Sequence, residues 1–190
     1  MQLDLSGNEL CGLDNDGDGT YNAEGITAIA DALRVNGSLT SVKLGGNSLG
    51  GEGWGAIFAA ICGNKDSKIM SLGASYEDIS PAGGKLIAEA LRTSVTGSLT
   101  SIDLSKNALC GVVQFPSGHV SGTYTAEGIT AIADALRVNG SLTSIDLSGN
   151  KLCGVWTDDP YWGQQGNYTA EGITAIADAL RVNGALTKIE

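Results

Sequence analysis

The stretch AEGITAIADALRVNG at 23–37 occurs three times without a change, returning at 126–140 and at 170–184. Its apolar residues recur at helical spacing, which predicts a helix with one buried face. In the first copy these residues are Ile26, Ile29, Ala30 and Leu33. Identity of this length in three places indicates a chain built from repeats that share one continuous core.

A second motif precedes each helical stretch and alternates apolar and polar residues. At 102–111 it reads IDLSKNALCG, so Ile102 and Leu104 point to one side of a short strand and Asp103 to the other. Asn107 follows at the turn out of the strand, where a side-chain amide can bond loop backbone groups of a neighbouring repeat. Related stretches lie at 3–12, 42–50, 72–79 and 145–154, and another begins at 186–189.

With the apolar residue that lies three positions upstream, this motif reads L-x-x-L-x-L-x-x-N-x-L and resembles the leucine-rich repeat. The 30-residue intervals between Leu44, Ala74 and Leu104 resemble the ribonuclease-inhibitor-like class, which includes the repeat domains of NOD-like receptors. The resemblance implies an α/β horseshoe, a right-handed solenoid with parallel strands inside and helices outside. It also implies a binding scaffold.

The resemblance covers 1–190 as a single solenoid of five repeats and a partial sixth. The strand pattern begins at Leu3 and stops at Glu190, with no recognisable capping unit at either end. Solenoids ordinarily need polar caps. We therefore expect the chain to be a fragment of a longer array or a member of an assembly.

The composition narrows the possible partners. A net charge of −10 and a pI near 4.4 argue against nucleic acid or an anionic membrane surface as the main partner. No run of about 18 apolar residues is present to span a membrane. One histidine, with no nucleophile elbow, phosphate-binding glycine loop or metal-ligand cluster, leaves no candidate reaction, so we predict that the chain is not an enzyme.

The cysteines favour a reducing compartment, and we expect a cytoplasmic protein. Cys11, Cys110 and Cys153 occupy one register of the repeat, as small buried apolar residues do. Because Cys110 and Cys153 belong to adjacent repeats, a disulfide between them is the alternative to a row of buried thiols.

Three repeats carry inserts between the strand motif and the helix, at about 13–22, 112–125 and 155–169. A tyrosine closes each insert and is expected to fix it to the start of the helix. Insertions at one fixed point of a solenoid lie on one side of it and often carry function. Their aromatic residues and histidine are candidate protein-binding residues, against the alternative that the rings fold back onto the insert. These candidates are Phe115, His119, Trp156, Tyr161 and Trp162.

The first insert contains DNDGDG, the first half of an EF-hand calcium loop, with Asp14, Asp16 and Asp18 as candidate ligands. Such a loop normally closes with a glutamate at its twelfth position, whereas Glu24 comes one residue early. Glu24 also belongs to the repeated helix. A polar turn is the alternative, and no cofactor other than calcium is indicated.

The outward strand positions are small and polar, with Asp4, Asp103 and Asp146 as the acidic residues suited to a basic partner. The leading hypothesis is a scaffold that binds a protein through the concave strand face and the inserts. The alternative is a structural or calcium-dependent spacer without a dedicated partner site. A third hypothesis, by resemblance, is a sensor fragment of a protein of the NOD-like receptor type.

Overall fold

The computed structural model describes residues 1–13, 19–114, 119–157 and 163–190. Within these ranges the chain alternates short strands with helices. The strands are β1 (Gln2–Asp4), β2 (Ser41–Lys43), β3 (Ser71–Gly73), β4 (Ser101–Asp103), β5 (Val112–Gln114), β6 (Val120–Gly122), β7 (Ser144–Asp146), β8 (Val155–Thr157), β9 (Gln164–Gly166) and β10 (Lys188–Ile189). The helices are α1 (Glu24–Leu33), α2 (Gly50–Gly63), α3 (Pro81–Arg92), α4 (Glu127–Val138) and α5 (Glu171–Leu180).

The main sheet is parallel, and its strands follow the order of the chain. Its order is β1-β2-β3-β4-β7-β10, and Ile102 pairs with Leu72 on one side and with Ile145 on the other. The helices form a second layer in which each helix packs against the next. Apolar side chains from both layers make one continuous buried core. The predicted α/β leucine-rich repeat solenoid is therefore confirmed.

From the second onward, each repeat begins one residue before the apolar lead-in of its strand. Repeats two and three pass from strand to helix without an insert, and we call them the plain repeats. Repeats one, four and five carry inserts, and we call them the hairpin repeats because antiparallel pairing occurs within each insert. The repeats span 1–37, 38–67, 68–97, 98–140 and 141–184, and the sixth begins at 185.

The helices begin where polar residues can accept hydrogen bonds from free backbone N–H groups. The hydroxyl of Ser80 accepts a hydrogen bond from the N–H of Gly83 at 3.3 Å, ahead of Pro81. In the hairpin repeats, Thr125 accepts from the N–H of Glu127 at 3.3 Å, and Asn22 does the same for Glu24 at 2.8 Å. Ser80 is the N-cap of α3, whereas Asn22 and Thr125 lie one residue before the N-cap positions of α1 and α4, Ala23 and Ala126.

A column of asparagines connects the strand turns of successive repeats. Asn107 accepts hydrogen bonds from the N–H groups of Glu77 and Ile79, both at 3.1 Å, in the preceding repeat. Its amide donates to the carbonyls of Ala74 at 2.7 Å and Leu104 at 3.0 Å. A single buried side chain thereby satisfies backbone groups of two repeats, as the sequence predicts.

Repeat three interrupts this column with a carboxylic acid. Glu77 is 4% exposed, and one carboxylate oxygen accepts a hydrogen bond from the N–H of Gly46 at 2.8 Å. Its other oxygen and the indole nitrogen of Trp54 are both buried without a completed hydrogen bond. Burial raises the pKa of Glu77 above its ordinary value, although the indole of Trp54 and the backbone of Gly46 act in the opposite direction.

The cysteines are free thiols, as the sequence favours. All four lie among the described residues and none forms a disulfide. Burial raises the pKa of Cys62 to about 11 and that of Cys110 to about 12, so both stay protonated at neutral pH. Among the described helices, none combines the length and apolar character needed to cross a bilayer.

Candidate functional site

The inserts are antiparallel β-hairpins, not irregular loops. In repeat four, β5 pairs with β6 through Val112 and Gly122; in repeat five, β8 pairs with β9 through Val155 and Gly166. The first insert closes with a single antiparallel bridge between Leu13 and Gly19. All three hairpins therefore rise from the same point of the repeat, between the strand turn and the helix.

Facing glycines close the base of each complete hairpin. Gly122 and Gly166 have φ angles of +113° and +80°, which strain a residue that carries a Cβ. A Cβ at Gly122 would collide with the carbonyl oxygen of Gly111, and one at Gly166 with that of Gly154. The repeated pairs of glycines that flank each insert are the sequence signal from which these hairpins could have been predicted.

The tyrosine that closes an insert binds the following repeat. The hydroxyl of Tyr124 donates to the carbonyl of Leu152 at 2.9 Å, and that of Tyr21 donates to the carbonyl of Leu49 at 3.2 Å. Burial raises the pKa of both tyrosines. The prediction that they fix an insert to the start of its own helix is wrong, because the acceptors lie one repeat further along the chain.

Trp156 packs onto its own hairpin. A Cβ at Gly166 would lie 2.6 Å from Cζ3 and 3.0 Å from Cε3 of the indole, so the ring lies directly over that glycine. Trp156 is half-buried in this position. Trp156 therefore folds back onto its own insert, as the alternative interpretation proposes for the insert rings. Part of its surface remains exposed to solvent.

An open groove of about 470 Å³ runs between the bases of the second and third hairpins. Gly122 and Tyr124 line one side, and Trp156, Tyr168 and Glu171 line the other. The groove joins aromatic surface to a carboxylate and to the backbone of the glycines. It is the part of the described inserts best suited to hold a group from another molecule.

The remaining insert candidates are located as follows. His119 is exposed and immediately precedes β6. The other candidates lie outside the described residues. These are Phe115, Tyr161 and Trp162 for protein binding and Asp14, Asp16 and Asp18 for calcium. In the described part of the chain, no group of three or more metal-ligating side chains is placed to hold a metal ion.

The acidic residues of the strand face accept backbone hydrogen bonds that sequence reasoning did not predict. Asp103 and Asp146 lie opposite each other on paired strands. One oxygen of each accepts a hydrogen bond from the backbone N–H two residues later, at 2.9 Å in both cases. This short-range bond shapes the turn out of the strand.

Asp4 is arranged in the same way but is also paired. Its carboxylate accepts a hydrogen bond from the N–H of Ser6 at 3.1 Å and lies 3.6 Å from the ammonium of Lys43. Ser6 and, to a smaller extent, Lys43 lower the pKa of Asp4. Asp146 likewise interacts electrostatically with Lys188 of β10, so a lysine offsets part of the negative charge near each end of the strand face.

A family model described as Leucine Rich Repeat matches residues 141–161, which cover the fifth strand turn and most of its hairpin. Together with the repeated motif and a parallel sheet backed by helices, this match supports a leucine-rich repeat architecture for the chain. No curated protein sequence matches the chain.

Solved structures with the same architecture resemble the chain at low sequence identity. The structure of actin-binding site 2 of leiomodin-1 matches with a TM-score of 0.50 and 19% sequence identity. The match covers 73% of this chain but only 61% of the leiomodin-1 structure. The C-terminal domain of Caenorhabditis elegans tropomodulin has a TM-score of 0.55 and 15% identity, covering 86% of the chain and 80% of that domain. These likenesses support the fold. Neither structure is a NOD-like receptor, so the narrower resemblance stays a prediction.

Proposed function

We propose that the chain is a scaffold that binds a protein partner through its hairpin tips and its strand face. The observation that carries the proposal is the contrast within the hairpin repeats. Their framework is shared: each insert has a glycine-closed base, and in repeats one and four the closing tyrosine donates a hydrogen bond to the next repeat. Their tips differ in length and chemistry, with DNDGD at 14–18, FPSG at 115–118 and DDPYW at 158–162.

A constant framework that carries different loops is suited to recognition. A rigid base reduces the entropy that a loop loses when it binds, and aromatic and acidic side chains supply anchors and charge. The groove beside Trp156 and Tyr168 extends this surface to the base of the hairpins. The leiomodin-1 structure, described as an actin-binding site, is an example of a similar fold that binds a protein.

The strand face adds an electrostatic preference to this proposal. Asp103 and Asp146 lie side by side on adjacent strands, and the whole chain carries a net charge of −10. A partner with a basic surface would be attracted by this charge, most strongly at low ionic strength. The pairing of Asp4 with Lys43 makes the first repeat a weaker contributor.

The test uses the chain as bait in a lysate of the cells that produce it. One variant replaces the tips at 115–118 and 158–162 with glycine-serine segments of equal length. A matched variant carries Asp103→Asn and Asp146→Asn and leaves the tips intact. We expect the tip variant to lose the captured partner and the strand-face variant to bind it more weakly, with circular dichroism showing that both remain folded.

The spacer hypothesis predicts a different result. If the repeats only set a length, the captured proteins will be the same for the wild type and both variants. That outcome, with all three chains folded, would remove the recognition role. Calcium binding is part of the spacer hypothesis and requires its own experiment.

A further inference from the structure

Of the five helices in the described part of the chain, α2 lacks an ion pair that the other four carry on their outer face. In those four helices an acidic residue is followed three positions later by an arginine, and the two are in contact at Asp31–Arg34, Glu89–Arg92, Asp134–Arg137 and Asp178–Arg181. At the equivalent positions, α2 has Ala59 and Cys62. Ala59 is exposed, so α2 presents an apolar side chain where the other helices present charge.

The neighbouring helix places an exposed leucine beside this surface. Leu86 of α3 is 47% exposed and occupies a position that is alanine in α1, α4 and α5. A Cβ at Gly55 of α2 would lie 2.7 Å from the Cβ of Leu86, so the leucine packs directly against a glycine. The position of Gly55 is threonine in α1, α4 and α5, and a threonine there would displace Leu86. The plain repeats therefore combine a glycine and a leucine that together expose apolar surface.

The two helices form an apolar groove of about 420 Å³ on the helix layer. Gly55, Ala59 and Ala90 line it with small side chains, and Leu86 is the largest apolar residue that lines it. Small residues along two packed helices allow the side chains of a third helix to approach closely. The groove lies within repeats two and three, where α1 packs against α2 and α4 packs against α3. Its apolar surface is therefore exposed although both helices have a neighbour on either side.

A carboxylate that lines the groove is available to a cation from another molecule. Glu52 lies in the first turn of α2 and forms no ion pair with any of the described residues. Its counterpart in α4, Glu127, is paired with Lys85 of α3 at 2.6 Å. The residue of α1 that corresponds to Lys85 is Thr27, so the preceding helix supplies no ammonium group to Glu52. The pair at Glu127 shows that a carboxylate in this position accepts a lysine from an adjacent helix.

We infer that the groove binds an amphipathic helix of a partner protein, which lies along α2 and α3. The apolar side chains of that helix contact Leu86 and Ala59, and a lysine or arginine beside them pairs with Glu52. Glu89, the other charged residue that lines the groove, is already paired with Arg92. The groove therefore attracts a basic helix, whereas a second copy of the chain would bring its own Glu52 and a net charge of −10 against the same charges. This docking surface is separate from the hairpin tips and the strand face.

The test selects peptides from a display library of randomised helices that have the length of α2, 14 residues. Selection uses the 190-residue chain, and counter-selection uses a chain with Ala59→Asp and Leu86→Ala, which we call the restored variant. Both substitutions introduce the residue that α1, α4 and α5 carry at that position, and circular dichroism establishes that the variant is folded. Counter-selection removes peptides that bind elsewhere on the chain.

We expect surviving peptides that have one apolar face with a lysine or arginine beside it. Fluorescence anisotropy should show at least about tenfold weaker binding to the restored variant, because an aspartate then lies in the groove and the contact with the leucine is lost. Glu52→Gln should weaken binding by about two- to fivefold, and by less at high salt, as expected for an exposed ion pair. Glu127→Gln is the matched control, because it removes an equal charge at the same position of α4 and should leave peptide binding unchanged.

The proposal is overturned if no peptide survives counter-selection. It is also overturned if the surviving peptides lack a basic residue, or if they bind the Glu52→Gln chain as tightly as the wild type. Sedimentation velocity tests the other occupant: dimers of the wild type that the restored variant fails to form would mean that the groove holds a second copy instead. Replacing the hairpin tips should not change peptide binding, so this experiment can fail or succeed independently of recognition by the tips.

Discussion

The plain repeats and the hairpin repeats vary in different places. In the plain repeats the core itself changes, with Trp54 where α1 and α4 have Ile26 and Ile129, and with Glu77 in the asparagine column. In the hairpin repeats the core is constant and the hairpin tips change. The residues that set stability therefore vary in the plain repeats, whereas the residues that we propose to set binding specificity vary in the hairpin repeats.

The largest expected effect breaks a plain repeat. Trp54 is fully buried and its ring lies 6.4 Å from that of Phe58. Trp54→Ala should lower the free energy of unfolding by about 3–5 kcal/mol, because it leaves a cavity in the continuous core. Chemical denaturation measures this loss. Tyr76→Ala is the control: Tyr76 is 65% exposed in the adjoining repeat, and a comparable loss there would contradict the assignment.

A second prediction concerns the buried carboxyl of repeat three. Glu77→Asn introduces the residue that holds the same position in the hairpin repeats, and should raise the free energy of unfolding at neutral pH by about 1 kcal/mol. Burial raises the folded-state pKa of Glu77 above its ordinary value of 4.5. The contribution of Glu77 to stability is therefore fully present below about pH 4.5 and is lost as the pH rises through the folded-state pKa.

Denaturation at a series of pH values checks this sign. The advantage of Glu77→Asn over the wild type should grow from about pH 4.5 upward and then level off. An advantage that is constant with pH would mean that the carboxyl does not titrate differently in the folded and unfolded states. Asp66→Asn, at an exposed carboxylate that pairs with Lys65, serves as the control.

The third prediction sharpens the role of the hairpin framework. Tyr124→Phe removes the hydrogen bond to Leu152 and should cost about 1 kcal/mol in the free energy of unfolding. Tyr168→Phe changes the same position in repeat five, where the residue is 72% exposed, and should cost almost nothing in dilute solution. Equal losses for the two variants would mean that the hydroxyl does not connect adjacent repeats.

The smallest expected effect tests the calcium hypothesis for the first hairpin tip. If Asp14, Asp16 and Asp18 bind the ion with a dissociation constant near 1 mM, about 1 mM calcium should stabilise the chain by about 0.4 kcal/mol and raise its Tm. A chain with serine at all three positions should not respond. Absence of any shift in the wild type would leave this tip as a polar turn.

Most of the fold could be predicted because the apolar positions of the repeated motif are the residues that form the core. The helix predicted within 23–37 is observed at Glu24–Leu33, and the column of asparagines follows from the position of Asn107 in the motif. The hairpins could not be predicted with the same ease, because their pairing depends on two glycines that face each other across an insert. The acceptors of Tyr21 and Tyr124 were missed because they lie in another repeat, which a local pattern does not reveal.

The hairpin bases have a consequence for protein engineering. Gln114 pairs with Val120, and Thr157 pairs with Gln164, so equivalent stems enclose segments of unequal length. The glycine pair and the tyrosine that hold each hairpin in place lie outside the enclosed segment. Foreign peptides could therefore be grafted at neighbouring tips and randomised independently, giving a display scaffold in which several short sequences are presented side by side at a fixed spacing.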